Sequence, residues 1–444
     1  MDEQKYILDQ SKAELDKLVD LSAEETDKTA CEALAEKARI FYEQYPESEN
    51  IALRYAGILV NLSTKQTVLK ERMATAKKLE KLQQNFQKSH DIAFQYAMIL
   101  FNLSTEQTEL KELVTTAKKL EKLQQQFPES HDIAFQYAMI LVNLSTKQTK
   151  LKELVTTTKK LEKLQQNFQK SHDIAFQYAM ILFNLSTEQT ELKELVTTAK
   201  KLEKLQQQFP ESPDIALQYA MILVNLSTKQ IELKERETTV EKVQSLQQQF
   251  PESHDIALRY VMILFNLSNK QTELKELVTT AKKLEKLQQQ FPESPDIALP
   301  YAMILVNLST KQTKLKELVT TAKKLENLQQ KFQDSHDIAE AFAMILFNLS
   351  TNQTELKELN TTAKKIEKLQ QQFPESHDIA EAFAMILVNL STKQIELKER
   401  EATVEKVQSL QQQFPESRDI ALQYVMILFN LSNKQTVLKE LVTT

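Results

Sequence analysis

The hydrophobic positions fall into a pattern that one stretch, residues 105–145, shows in full. From about Thr105 to Phe127 the apolar residues are Leu110, Leu113, Ala117, Leu120, Leu123 and Phe127. Spacings of three and four set them along one stripe of a helix. The opposite side carries Glu109, Lys111, Glu112, Lys118, Lys119, Glu121 and Lys122, a solvated face. Pro128 ends this long helix, because proline brings no N–H to the next backbone bond. Ser130 then opens a shorter helix over about His131–Leu144. Its hydroxyl is placed to cap free N–H groups, and Asp132 suits the positive end of the helix dipole. Elsewhere Pro213 and Pro295 take the place of His131, and the first helical position is where proline is tolerated. The short helix is apolar almost all round, from Ile133 and Ala134 through Phe135, Tyr137, Ala138, Met139, Ile140, Leu141 and Val142 to Leu144. Such a helix is packed between neighbours. Neither helix can bury its apolar surface alone, so the pattern predicts stacked helix pairs.

The pattern recurs. Asn-Leu-Ser begins at residues 61, 102, 143, 184, 225, 266, 307, 348, 389 and 430, always 41 residues apart. The preceding residue alternates between valine and phenylalanine, from Val60 and Phe101 to Val388 and Phe429, so a period of 82 overlies the first. Residues 225–268 recur almost unchanged at 389–432. Sameness between such close copies is therefore weak evidence of function. Residues 1–48 read as degenerate N-terminal capping helices: Tyr45-Pro46-Glu47-Ser48 matches Phe127-Pro128-Glu129-Ser130. Residues 49–444 read as ten repeats, the last one truncated, since Leu441-Val442-Thr443-Thr444 aligns with the middle of the long helix. The expected fold is all-α, an α-solenoid.

Composition sharpens this. The 444 residues include one glycine, Gly57, where roughly 7% is usual. Glycine supplies the positive φ of hairpins and phosphate-cradling loops, so P-loops, dinucleotide fingerprints and hairpin-rich barrels are excluded. Acidic and basic residues are interspersed with a net charge of −5, a surface whose overall field does not attract nucleic acid. The single Cys31 excludes an internal disulfide framework and reads as a buried apolar residue. The charged N-terminal stretch does not resemble a signal peptide, and no apolar run approaches a membrane span. The expected setting is cytoplasmic, without membrane contact.

The unit resembles the tetratricopeptide repeat, a helix–turn–helix of about 34 residues. Tyr96-Ala97 fills the family's large–small pair and Leu100 follows; Thr116, Leu120, Leu123 and Pro128 fall at the spacing of its second helix. The resemblance covers essentially the whole chain. It implies a right-handed superhelix of stacked antiparallel helix pairs. It also implies binding of proteins or peptides in a concave groove lined by the first helices, here the short ones.

The chemistry-bearing motifs have structural readings. Ser-His-Asp, as in Ser89-His90-Asp91, reads as a cap with its first turn, since three adjacent residues at a helix start cannot form a hydrolase triad. The six histidines lie in separate repeats and cannot converge on a metal, and no HExxH or cysteine cluster is present. Neither a catalytic residue, a metal site nor a cofactor is therefore expected, and the chain is not expected to be an enzyme. Asn-Leu-Ser matches a glycosylation acceptor, but the asparagine reads better as a hydrogen bonder at the helix C-terminus.

Asp132, Gln136, Met139 and Asn143 share one face of the short helix. Arg54, Arg259, Pro300, Ala341 and Ala382 stand at the position of Gln136 in other copies, so that face is read as partly exposed. Pro300 is expected to kink its helix. The expected partner-binding residues are Gln95, Met98 and Asn102; Gln136, Met139 and Asn143; Gln177, Met180 and Asn184; and Gln218, Met221 and Asn225. The first expectation is thus a non-catalytic scaffold for a protein or peptide. The alternatives are a structural spacer that self-associates through its open C-terminal end, and a repeat-based binder of single-stranded RNA.

Overall fold

A computed structural model describes the backbone of residues 2–443 and the side chains of residues 9–433. The described residues fold into twenty-one α-helices and no strand. The chain divides into two compact units, residues 1–226 and 227–444, with the division inside α11 (Pro213–Lys229).

Within the first unit, α1 (Asp2–Glu24) and α2 (Lys28–Gln44) precede α3 (Glu49–Lys65) and α4 (Leu69–Asn85). The pairs α5 (His90–Glu106) with α6 (Leu110–Gln126) and α7 (His131–Ser145) with α8 (Leu151–Asn167) show the repeat. The odd helices α1, α3, α5 and α7 pack in succession, each on the next, and α6 lies over both α5 and α7. The odd helices form the core row: Ile133, Ala134, Ala138 and Ile140 of α7 are fully buried. The even helices contribute one stripe, Leu113, Ala117, Leu120 and Leu123, as their periodicity predicts. The second unit repeats the scheme with α12 (Leu233–Gln249), α13 (His254–Ser268), α14 (Leu274–Gln290), α15 (Pro295–Lys311) and α16 (Leu315–Lys331). It continues through α17 (His336–Asn352), α18 (Leu356–Gln372), α19 (His377–Lys393), α20 (Leu397–Gln413) and α21 (Arg418–Thr443).

Two boundaries differ from the sequence reading. The odd helix runs on past the leucine of Asn-Leu-Ser to Glu106, and the even helix opens at Leu110 instead of near Thr105, so α5 and α6 are both 17 residues long. Ser104 and Thr105 turn their hydroxyls back onto the carbonyls of Phe101 and Asn102, at 2.7 and 2.9 Å, and Leu103 is buried. These side chains thereby stay compatible with helix. Nor is proline the stop signal of the even helix. α4, α8 and α16 end at the same point with Gln87, Gln169 and Gln333 in its place. The common device is the phenylalanine. Phe127 leaves the helix at φ −123° and ψ 67°, and the Ser130 N–H returns to its carbonyl at 3.1 Å.

No described residue has a positive φ, so no turn calls for glycine. Cys31 is buried and unpaired. α15 runs unbroken through Pro300. No helix of the described residues is long and apolar enough to cross a membrane.

Candidate binding face

The odd helices carry the residues expected to meet a partner. Gln95, Met98 and Asn102 on α5 are half-buried, and so are Gln136, Met139 and Asn143 on α7. The same holds for Gln177, Met180 and Asn184 on α9 (His172–Glu188) and for Gln218, Met221 and Asn225 on α11. In the second unit the row is more open: Met262, Met303 and Met344 are 42%, 43% and 52% exposed. The Oε1 atom of Gln136 is buried without a hydrogen-bond partner.

The asparagines do something the sequence reading missed. All but Asn307 reach the neighbouring pair instead of their own helix end. The Nδ2 of Asn102 donates to Ser63 Oγ at 3.1 Å, that of Asn143 to Ser104 at 3.1 Å, and that of Asn184 to Ser145 at 2.7 Å. Asn225 donates to Ser186 at 3.0 Å. In the second unit Asn348, Asn389 and Asn430 do the same at 2.8–2.9 Å. Each serine hydroxyl donates its own proton to a carbonyl one turn back, as Ser145 does to Val142, and so accepts the amide with a lone pair. The asparagine is a strut between odd helices. What it could still offer a ligand is its acceptor oxygen.

The histidines mark the opposite end of the odd helices. His90 Nε2 lies 2.7 Å from Ser130 Oγ, the cap of the next odd helix, and the same contact joins His131 to Ser171 and His172 to Ser212. His90 Nδ1 is 3.3 Å from Asp91. A serine, a histidine and an aspartate thus do meet, because the serine comes from the following repeat. Ser130 is 9% exposed and already accepts the Ile133 N–H at 3.3 Å, which is the capping role its position predicts. The His-to-Ser offset of 40 residues was the available signal.

In two adjacent copies Glu340 and Glu381 replace the aromatic residue before the glutamine position. Ser376 and Ser417 then donate to these glutamates, at 3.0 and 3.1 Å. The carboxylates also come within 3.3 Å of His336 and His377. With Asp337 and Asp378 they bring potential ligand atoms within 4.8 Å of one another, on mostly exposed side chains at helix starts. The histidines still do not converge on each other; a carboxylate reaches each.

A third set of side chains ties the even helices. Lys119 pairs with Glu80 at 2.8 Å and Lys160 with Glu121 at 2.7 Å, each across one repeat. Tyr96 and Tyr137 on the odd helices face the same carboxylates, and burial pushes their phenols far above the ordinary tyrosine range. Arg72, Arg236 and Arg400 take the place of the buried leucine that α6 has at Leu113. Arg236 is 5% exposed and donates from Nε to Gln230 O and from Nη1 to Asn266 O, both at 2.9 Å. Burial lowers the pKa of this guanidinium, which binds the carboxyl end of a helix in place of a counter-ion.

No protein-family model matches the sequence. No curated protein matches it either. Among solved structures it is similar to a chain from work on a conserved phosphorylation switch that controls the interaction between cadherin and beta-catenin. That match has 12% identity and a TM-score of 0.49, and covers 96% of this chain and 92% of that one. A chain of the APC/C hetero-tetramer Cut9–Hcn1 is similar at 9% identity and a TM-score of 0.29, over 90% of this chain and 93% of that one. A chain of Naa15/Naa10 bound to HypK-THB is similar at 12% identity and a TM-score of 0.26, over 95% and 67%. By its own helix pairs and their 41-residue step, the chain is a helical-repeat protein, all-α in the described residues of both units.

Proposed function

We propose that this chain is a non-catalytic scaffold that binds a protein or peptide segment along the face of its odd helices. The methionine row carries the reading. Met262, Met303 and Met344 recur every 41 residues on successive odd helices and stand well exposed. Flexible, polarizable thioethers in a row suit the varied apolar side chains of a bound segment. In the first unit Gln136 adds a buried acceptor that gains a partner only if a donor arrives. The asparagines contribute mainly by holding the helices that present the row.

The test is a selection of peptides from a displayed random library with the wild-type chain. Peptides so selected should lose binding to a variant with Met262, Met303 and Met344 changed to Glu, while its helical circular dichroism persists. Undiminished binding by that variant would count against this face.

Self-association is a second reading, favoured by α21. Leu422, Val425 and Phe429 there are 55%, 60% and 64% exposed, whereas Ala138 and Val142, which match Val425 and Phe429, are buried in α7. A second copy laid on that face would cover them. Sedimentation velocity over a range of concentrations discriminates: a constant monomer counts against this reading.

A further inference from the structure

The ladder of ion pairs between even helices has a rung without its carboxylate. In intact rungs a lysine reaches the glutamate 39 residues upstream, as Lys119 does at Glu80, Lys324 at Glu285 (2.7 Å) and Lys365 at Glu326 (2.6 Å). For Lys283 on α14 that residue is Gln244 of α12. The Gln244 amide oxygen is occupied, accepting the Tyr260 hydroxyl at 3.0 Å. Lys283 keeps the half-buried setting of its counterparts, yet makes no hydrogen bond or ion pair among the described residues.

The charges around it do not replace the lost partner. Glu237 and Glu241 of α12 act on Lys283 through space and favour its ammonium. On its own helix Lys282 is exposed, and Glu285 is already bonded to Lys324. Burial outweighs the two glutamates and holds the Lys283 amine below the usual lysine range. A lysine so placed spends more of its time as a neutral nucleophile.

We propose that Lys283 is a site of acylation by acyl thioesters. The amine nitrogen attacks the thioester carbonyl carbon, the C–S bond breaks, the thiol leaves with its sulfur protonated, and an amide remains on Lys283. The donor is activated enough to transfer its acyl group to a free amine unaided. The product suits the site better than the ammonium does, because a neutral amide needs no counter-ion in a half-buried position. The intact rungs resist the same reaction, since Glu80 or Glu326 keeps its lysine engaged in an ion pair.

The full-length chain incubated near neutral pH with the acetyl thioester of N-acetylcysteamine tests this. Initial acetylation rates are read residue by residue by peptide mass spectrometry. Lys283 should react at least about three times faster than Lys119 and Lys365, which share its burial but keep their carboxylates. Gln244→Glu restores the rung found elsewhere in this chain and should bring Lys283 down to their rate. A wild-type Lys283 no faster than the ladder lysines overturns the proposal, and so does a rate that Gln244→Glu leaves unchanged. Circular dichroism of the variant verifies that it is folded. The outcome does not depend on peptide binding at the methionine row.

Discussion

Asn143 on α7 donates its side-chain amide to Ser104 on α5, 3.1 Å away and 39 residues earlier in the chain. Removing that amide takes one bond from between neighbouring pairs and leaves the buried Ser104 hydroxyl short of a donor. Asn143→Ala should therefore cost about 1 kcal/mol, read as a lower urea midpoint. Asn307 on α15 forms no such bond among the described residues, so Asn307→Ala should cost clearly less. Equal losses would mean that the strut carries no stability of its own.

The buried guanidinium of Arg236 stands where α6 has Leu113, 1% exposed. Replacing a buried, hydrogen-bonded charge by an apolar side chain that the fold already accommodates is often neutral or favourable. Arg236→Leu should stay within about 1 kcal/mol of wild type, while Arg236→Ala, which opens a cavity, should lose about 2–4 kcal/mol. Thermal unfolding of the two variants checks this. If leucine proves as damaging as alanine, the two carbonyls at Gln230 and Asn266 need the charge.

Gly57 occupies, in α3, the methionine position of later repeats, and a Cβ built there meets nothing within 4 Å. Its φ is negative, so alanine adopts the same backbone. Gly57→Ala should stabilise the chain by about 0.5–1 kcal/mol through the smaller entropy of the unfolded chain. Denaturant titration decides, and a loss of stability would contradict the open space beside Gly57.

The buried tyrosines predict alkaline lability. The Tyr55 phenol is pushed up to about 12, mainly by burial, and those of Tyr96, Tyr137 and Tyr178 are pushed higher. A group whose pKa is raised on folding contributes its stability in full below the unfolded value, near 10. That stability is lost as pH climbs through the folded value. Unfolding midpoints should thus be indifferent to these phenols below pH about 10 and fall above it. Phe342 and Phe383 already stand at the equivalent position, so Tyr137→Phe should fold and flatten part of the alkaline fall. Midpoints measured across that pH range would reject the idea if the variant followed wild type throughout.

Much of this was legible in the chain itself, because a fixed period turns one repeat into a template for all. The stripe of Leu113, Ala117, Leu120 and Leu123, the Ser130 cap and the prolines at helix starts are local signals, and each is realised. What local signals could not give was the direction of a polar side chain. Ser104 and Thr105 look like helix punctuation, yet they bond backward and lengthen α5. Asn143, His90 and Lys119 find their partners 39 or 40 residues away, on the neighbouring pair, where no single-helix pattern points. The Ser-His-Asp triplet shows the limit well: its members do meet, but as parts of two successive repeats. The helical spacing puts the Gln/Met/Asn row on one face, whereas the division of labour between its strut and its open methionines is set by the packing.

Every one of these links joins a pair only to its nearest neighbour, at an offset fixed to the residue. The number of pairs is thereby uncoupled from the integrity of each. Excising residues 105–186, two whole periods, would hand Asn225 the hydroxyl of Ser104 in place of that of Ser186, with the valine–phenylalanine alternation kept in phase. Excising one residue more would set every strut, cap contact and ion pair across the junction out of register at once. Such a chain can grow or shrink as a ruler does, in whole graduations, and its reach can change without any new packing having to be found.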